Sequence, residues 1–267
     1  MDGKLKAYFR ENDYLRNGVA DIQFGEPSDG TIKERHALPE QEQRDLFAKG
    51  YSPETRFWID DMYMITALQS QAYRATGKRE YIERTAKEMV LYLNRLQIKE
   101  GQDAGLFYHA PTAPFVWGRG AGWMAAGMTL VLSYLAEDSP HYGRIMEGYR
   151  LMMAKLLEHQ RPSGLWGQLV NDAESWDETS GSAMYAYAFV VGTRKGWLAG
   201  DDYLVAAGRS WSALCDRLDA NANLKGVCEG TGCKNSRDWY MNRARQTGDP
   251  HGQAPMLWIC RELLNNN

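Results

Sequence analysis

An all-α fold, a toroid of helical hairpins, is predicted for this 267-residue chain by three observations. Apolar residues recur at three-and-four spacing in segment after segment, convincing strands are absent, and long glycine-bearing loops return at a near-constant interval. In chain order the helical segments are 55–76, 79–97, 121–136, 141–160, 182–198, 202–218 and 254–264. Several of their ends are legible. Thr76-Gly77 closes the first, Asp138-Ser139-Pro140 opens the fourth, and Gly200-Asp201 stops the fifth and caps the sixth. The loops repeat as well: Gly105-Leu106-Phe107 is followed 59 residues on by Gly164-Leu165-Trp166 and 62 residues later by Gly226-Val227. Loops recurring at one end of successive hairpins give a toroid scaffold turns on one side and a working face on the other. A ring of six hairpins at about 60 residues each needs about 360 residues, so this chain supplies about four and a half. We therefore expect a single toroid domain over 1–267 that is incomplete at its N-terminus or has fewer hairpins.

Composition narrows the function classes. With 31 basic and 34 acidic residues spread along the chain and a net charge of −3, there is no basic footprint for nucleic acid and no polybasic membrane patch. The opening MDGKLKAYFRENDYL lacks the pattern of a signal peptide, and no apolar run approaches the ~20 residues that span a bilayer, so a soluble cytoplasmic protein is expected. Cys215, Cys228, Cys233 and Cys260 offer one C-x4-C spacing without a matching pair, which points to reduced thiols and no metal site. The 9 Trp and 15 Tyr are more informative, because flat amphipathic rings both fill cores and stack on sugar faces.

Four stretches could carry chemistry. RFWIDDMYM (56–64) sets Asp60 and Asp61 in a segment apolar nearly all round, as in a buried inner helix. A carboxylate there must be hydrogen-bonded or shifted toward its protonated form, which suits a general acid. The structural alternative has Asp60 paired with Arg56 and Asp61 capping a neighbouring helix. GLFYHAPTAPFVWGRGAGWMAAG (105–127) gathers His109, Trp117, Arg119 and Trp123. An arginine fork beside an indole suits a sugar carboxylate, and the alternative is Arg119 on a buried acid with both tryptophans in the core. In 164–189, Thr179 or Ser180 caps a helix, and Trp166, Gln168 and Trp176 are candidates for lining the same cleft. TGDPHGQAP (247–255) adds Asp249, His251 and Gln253, where a lone histidine is more often structural.

Taken in order, WIDDMYM, FYHAP…FVWGRGAGW, WDETSGSAM and GDPHGQAP resemble the glycoside hydrolase family 105 and family 88 proteins, the unsaturated rhamnogalacturonyl and glucuronyl hydrolases, from about residue 51 to the end. The resemblance implies an (α/α)6 barrel and removal of a terminal 4,5-unsaturated uronic acid from oligosaccharides left by polysaccharide lyases, with no metal or organic cofactor. In such enzymes an aspartate protonates the enol ether at C4, water adds at C5, and the hemiketal collapses with loss of the leaving sugar. By motif matching Asp60 is the acid/base, Asp61 is structural, and His109, Arg119 and Trp123 surround the uronate. Trp117, Trp166, Trp176 and His251 complete the expected substrate-binding set. Two departures stand out: the family's second aspartate belongs to an upstream hairpin that this chain is expected to lack, and Thr112 replaces an aspartate after His-Ala-Pro. They leave an inactive carbohydrate-binding remnant as the alternative, and a gap in the ring leads us to expect self-association. A toroidal isomerase or epimerase would need a histidine pair, which ranks it last.

Overall fold

The computed structural model describes residues 19–25, 38–53 and 55–264; the opening stretch read above for a leader, and most of the region where an upstream hairpin would lie, fall outside them. Short helices α1 (Val19–Ile22) and α2 (Glu40–Ala48) come first. The main series follows: α3 (Ile59–Thr76), α4 (Arg79–Leu96), α5 (Gly118–Leu132), α6 (Tyr142–Glu158), α7 (Thr179–Arg194) and α8 (Asp202–Cys215), then α9 (Arg237–Met241) and α10 (Pro250–Leu264). Helices α3, α5, α7 and α10 pack side by side in that order, while α4, α6 and α8 form a second row. Each neighbouring pair α3/α4, α5/α6 and α7/α8 is a hairpin with its partner in the other row. This is the expected arrangement of a toroid.

Inner helices must be apolar on every side, and α5 meets this with small residues: all of it but Leu130 is buried. Glycine lets α5 and α7 approach closely at their starts. A Cβ on Gly181 would lie 2.5 Å from the Gly118 carbonyl oxygen, and one on Gly122 would lie 2.7 Å from Met184 Sδ. The N-terminal ends of the inner row are thereby drawn together. Helix α3 ends on Gly77 in the left-handed conformation, as its sequence predicts.

Three expectations change. Helix α3 begins at Ile59, not 55, because Phe57 takes a positive φ of 57° and turns the chain before the helix. Strands do occur: β1 (Trp166–Gly167) pairs antiparallel with β2 (Asp177–Glu178), and β3 (Lys225–Cys228) with β4 (Arg245–Thr247). They are too short for a two-residue period to register, and they tie together the long loops. Third, Trp166 is fully buried, its Nε1 donating to Leu156 O at 2.6 Å and its ring against Tyr185 and Phe189. It packs in the core between α6 and α7.

Among the described residues no helix is long and apolar enough to cross a membrane.

Candidate active site

The segment before α3 decides how its two aspartates differ. Its turn at Phe57, whose ring is wedged 5.1 Å from Tyr92, carries Arg56 back over the first turn of α3. The guanidinium grips Asp61 through two oxygens, Nε to Oδ2 at 2.8 Å and Nη2 to Oδ1 at 2.8 Å, and lies 4.0 Å from the Trp58 ring centroid. The alternative pairing of Arg56 with Asp60 is thus corrected: the arginine belongs to Asp61, and the two-point contact closes this turn.

Asp60, its side chain 25 % exposed, faces His109 instead, with Oδ2 3.2 Å from Nε2. His109 reaches this place because its loop folds onto the start of α3: Ile59 N donates to His109 O at 3.0 Å, and His109 N donates to Phe115 O at 2.9 Å. The imidazole is buried, stacked 4.6 Å from Trp117, and its Nδ1 lies 2.7 Å from Tyr240 Oη. Burial pushes the Tyr240 phenol up, so it stays protonated, and its contact with Nδ1 fixes the ring with Nε2 facing Asp60. Asp60 Oδ2, His109 Nε2 and Trp117 Nε1 are all buried without an aligned hydrogen bond among the described residues.

Tyr240 was not singled out by the sequence. It comes from the five-residue α9, 131 positions beyond His109, and its only local signal is a Trp-Tyr pair in a polar loop. Gln168 supports it, donating to Tyr240 O at 3.0 Å and to Cys228 Sγ at 3.1 Å. Trp176 braces the same helix through Nε1 to Met241 O at 3.1 Å, with the Arg245 guanidinium 4.6 Å over its ring. Replacing Tyr240 by phenylalanine leaves a buried ring nitrogen unpaired and is expected to cost about 1–3 kcal/mol of stability and to lower kcat more than it raises KM. Chemical denaturation and steady-state kinetics of the variant check both.

Arg119 sits differently from the expected receptor. It is 1 % exposed, and its fork is taken up by backbone carbonyls, Nη1 donating to Cys228 O and Nη2 to Glu229 O at 2.8 Å, with the Trp117 ring 4.7 Å away. Across from it the buried Glu178 accepts from Ser180 N (3.1 Å), Ser180 Oγ (2.6 Å), Gly181 N (2.6 Å) and Cys228 N (3.0 Å). Glu178 therefore caps α7, correcting the expectation of Thr179 or Ser180, and with Arg119 it clamps Cys228.

Trp123 and His251 form a second group. The Trp123 ring lies 4.6 Å from Tyr63, one turn beyond Asp60, and 6.1 Å from His251. His251 is exposed, with Nδ1 2.6 Å from Asp249 Oδ1. Although burial raises it, hydrogen bonds from the His251 backbone and ring hold Asp249 below the usual carboxylate range. Among the described residues no group of three His, Cys, Asp or Glu side chains is placed to hold a metal ion.

A family model described as Glycosyl Hydrolase Family 88 matches residues 29–267. Protein Atu3128 of Agrobacterium fabrum is 28 % identical over 171 residues, covering 57 % of this chain and 73 % of its own length. An unsaturated 3S-rhamnoglycuronyl hydrolase of Formosa agariphila is 26 % identical over 174 residues, covering 60 % of this chain but only 46 % of that longer protein. The crystal structure of a possible member of the GH105 family from Salmonella enterica superposes with a TM-score of 0.79 at 21 % identity, covering 98 % of this chain and 69 % of the other.

Proposed function

The chain belongs to glycosyl hydrolase family 88, a family of glycosidases, and we propose that it removes a terminal 4,5-unsaturated uronic acid from lyase-generated oligosaccharides. The observation that carries this reading is the difference between adjacent carboxylates: Asp61 is neutralised by Arg56, whereas Asp60 has a buried oxygen against His109 and, among the described residues, no guanidinium within 4.0 Å. A carboxyl group held by one buried oxygen keeps the other for a proton transfer. The relative named as an unsaturated 3S-rhamnoglycuronyl hydrolase supports the substrate class.

In this mechanism Asp60 gives its proton to C4 of the enol ether, and positive charge develops at C5. Water adds at C5, its proton returns to the Asp60 carboxylate, and the hemiketal collapses with release of the leaving sugar. Attack at the anomeric carbon, on which two-carboxylate glycosidases depend, is not involved. His109 is a positioning residue: held by Tyr240 and stacked on Trp117, it fixes the orientation of Asp60. Trp123 touches both Tyr63 and His251, and its indole can cover the sugar ring. Purified protein given an unsaturated uronyl disaccharide should bleach the ultraviolet absorbance of the double bond. Cleavage of a saturated uronide, with the unsaturated disaccharide left intact, would overturn the assignment.

Arg119 acts in this reading through the loop it holds. Lysine cannot span both carbonyls, so Arg119→Lys is expected to cost about 1–3 kcal/mol of stability and to weaken charged and methyl-esterified substrates equally. A loss confined to the charged substrate, read from KM for the two forms, would instead make Arg119 the carboxylate receptor.

A further inference from the structure

Between the inner helices, the rings of Tyr63 on α3, Trp123 on α5 and Trp258 on α10 meet with centroids 4.6, 5.6 and 6.4 Å apart. Asp60 and His251 lie toward the helix starts on one side of this cluster. Toward the helix ends on the other side, α3, α5, α7 and α10 surround a cavity of about 380 Å³, within the size range of small-molecule sites. Its walls combine three kinds of group. Tyr63, Tyr187 and Trp258 give flat aromatic faces, with Tyr187 and Trp258 centroids 5.8 Å apart. Gln71 and Ser133 supply neutral polar groups, and Arg74, Lys195 and Arg261 bring positive charge.

Among the described residues the charge is not balanced locally. Glu262 is the acidic residue of the lining, and its carboxylate already lies 3.6 Å from Arg194 and 3.9 Å from Arg261. Among the described residues neither Arg74 nor Lys195 has a carboxylate within 4.0 Å. Arg74 is pre-positioned nonetheless, donating to Gln71 Oε1 at 3.1 Å with its guanidinium 5.4 Å over the Tyr134 ring. A planar fork braced in this way suits a carboxylate, the aromatic faces suit the apolar side of a pyranose, and the amide and hydroxyl groups suit its hydroxyls.

We propose that this cavity is a second, non-catalytic binding site for a small hydroxylated carboxylate of the uronic acid class. The site is separated from Asp60 by the Tyr63–Trp123–Trp258 cluster, and the inference does not depend on the reaction proposed above. The probe is D-galacturonate, titrated into the full chain and followed by tryptophan fluorescence and saturation-transfer NMR, with D-galactose and inorganic phosphate as separate arms. Saturable galacturonate binding is expected, retained in Asp60→Asn and weakened about tenfold or more in Arg74→Gln/Lys195→Gln, with galactose also about tenfold weaker. Lys195→Gln alone, on the exposed rim, gives the same direction should the double variant fail to fold. Absence of saturable binding, equal binding in the rim variants, or loss of binding in Asp60→Asn would each overturn the proposal. Phosphate binding as tightly as galacturonate would overturn the uronate assignment in favour of a general anion site.

Discussion

Asp60→Asn is expected to lower kcat on an unsaturated uronyl disaccharide by about 10²–10⁴-fold, the usual contribution of a positioned acid, with KM and helicity little changed. Asparagine has nearly the same shape, so the contact with His109 survives while the transferable proton is lost. The informative control is the neighbouring position. Asp61→Asn breaks the two-point grip of Arg56 and should lower the melting temperature while leaving chemistry at C4 possible. Ultraviolet assay and thermal melting of the two variants separate the roles. Full activity in Asp60→Asn would remove this carboxylate from the mechanism.

A second large effect is expected in stability against pH, and it comes from a residue behind the site. Glu88 on α4 is fully buried and accepts from Ser52 N at 3.1 Å and from Thr55 Oγ1, so it fastens the segment that delivers Arg56, Phe57 and Trp58 to α3. Burial pushes its carboxyl up to about 7 from 4.5, against the opposing pull of the Thr55 and Ser52 hydrogen bonds and of Lys87, with Asp61 adding to the rise. A folded-state value above the unfolded one means that its contribution is fully present below about pH 4.5 and is lost as pH rises through about 7. The span corresponds to about 3 kcal/mol. The wild-type chain should therefore lose stability between these limits, and Glu88→Gln, which cannot ionise, should lose about 3 kcal/mol less over the same window. Urea unfolding of both proteins at several pH values measures the difference. Parallel curves would show that Glu88 ionises alike in the folded and unfolded chains.

The helical class, the hairpin order, the Gly77 stop and the loops that converge on one face were legible in the sequence, because periodicity and capping are local properties of the chain. Local patterning also marked Asp60, Asp61, His109 and Trp123 as unusual, since polar or bulky groups interrupt segments otherwise suited to burial. Partner choice was not legible. A helix running from 55 would set Arg56 and Asp60 one turn apart on the same stripe, but the positive φ at Phe57 ends that register and gives the arginine to Asp61. Whether Arg119 meets a ligand or two backbone carbonyls depended on where residues 228–229 pass, more than a hundred positions away. Tyr240 reaches His109 across a still longer separation, and Trp166 is apolar enough for either a cleft or a core until α6 and α7 close over it. A sequence pattern reports which residues leave water; which atoms they then face is fixed by a few backbone angles and by long-range contacts that form only when the helices assemble.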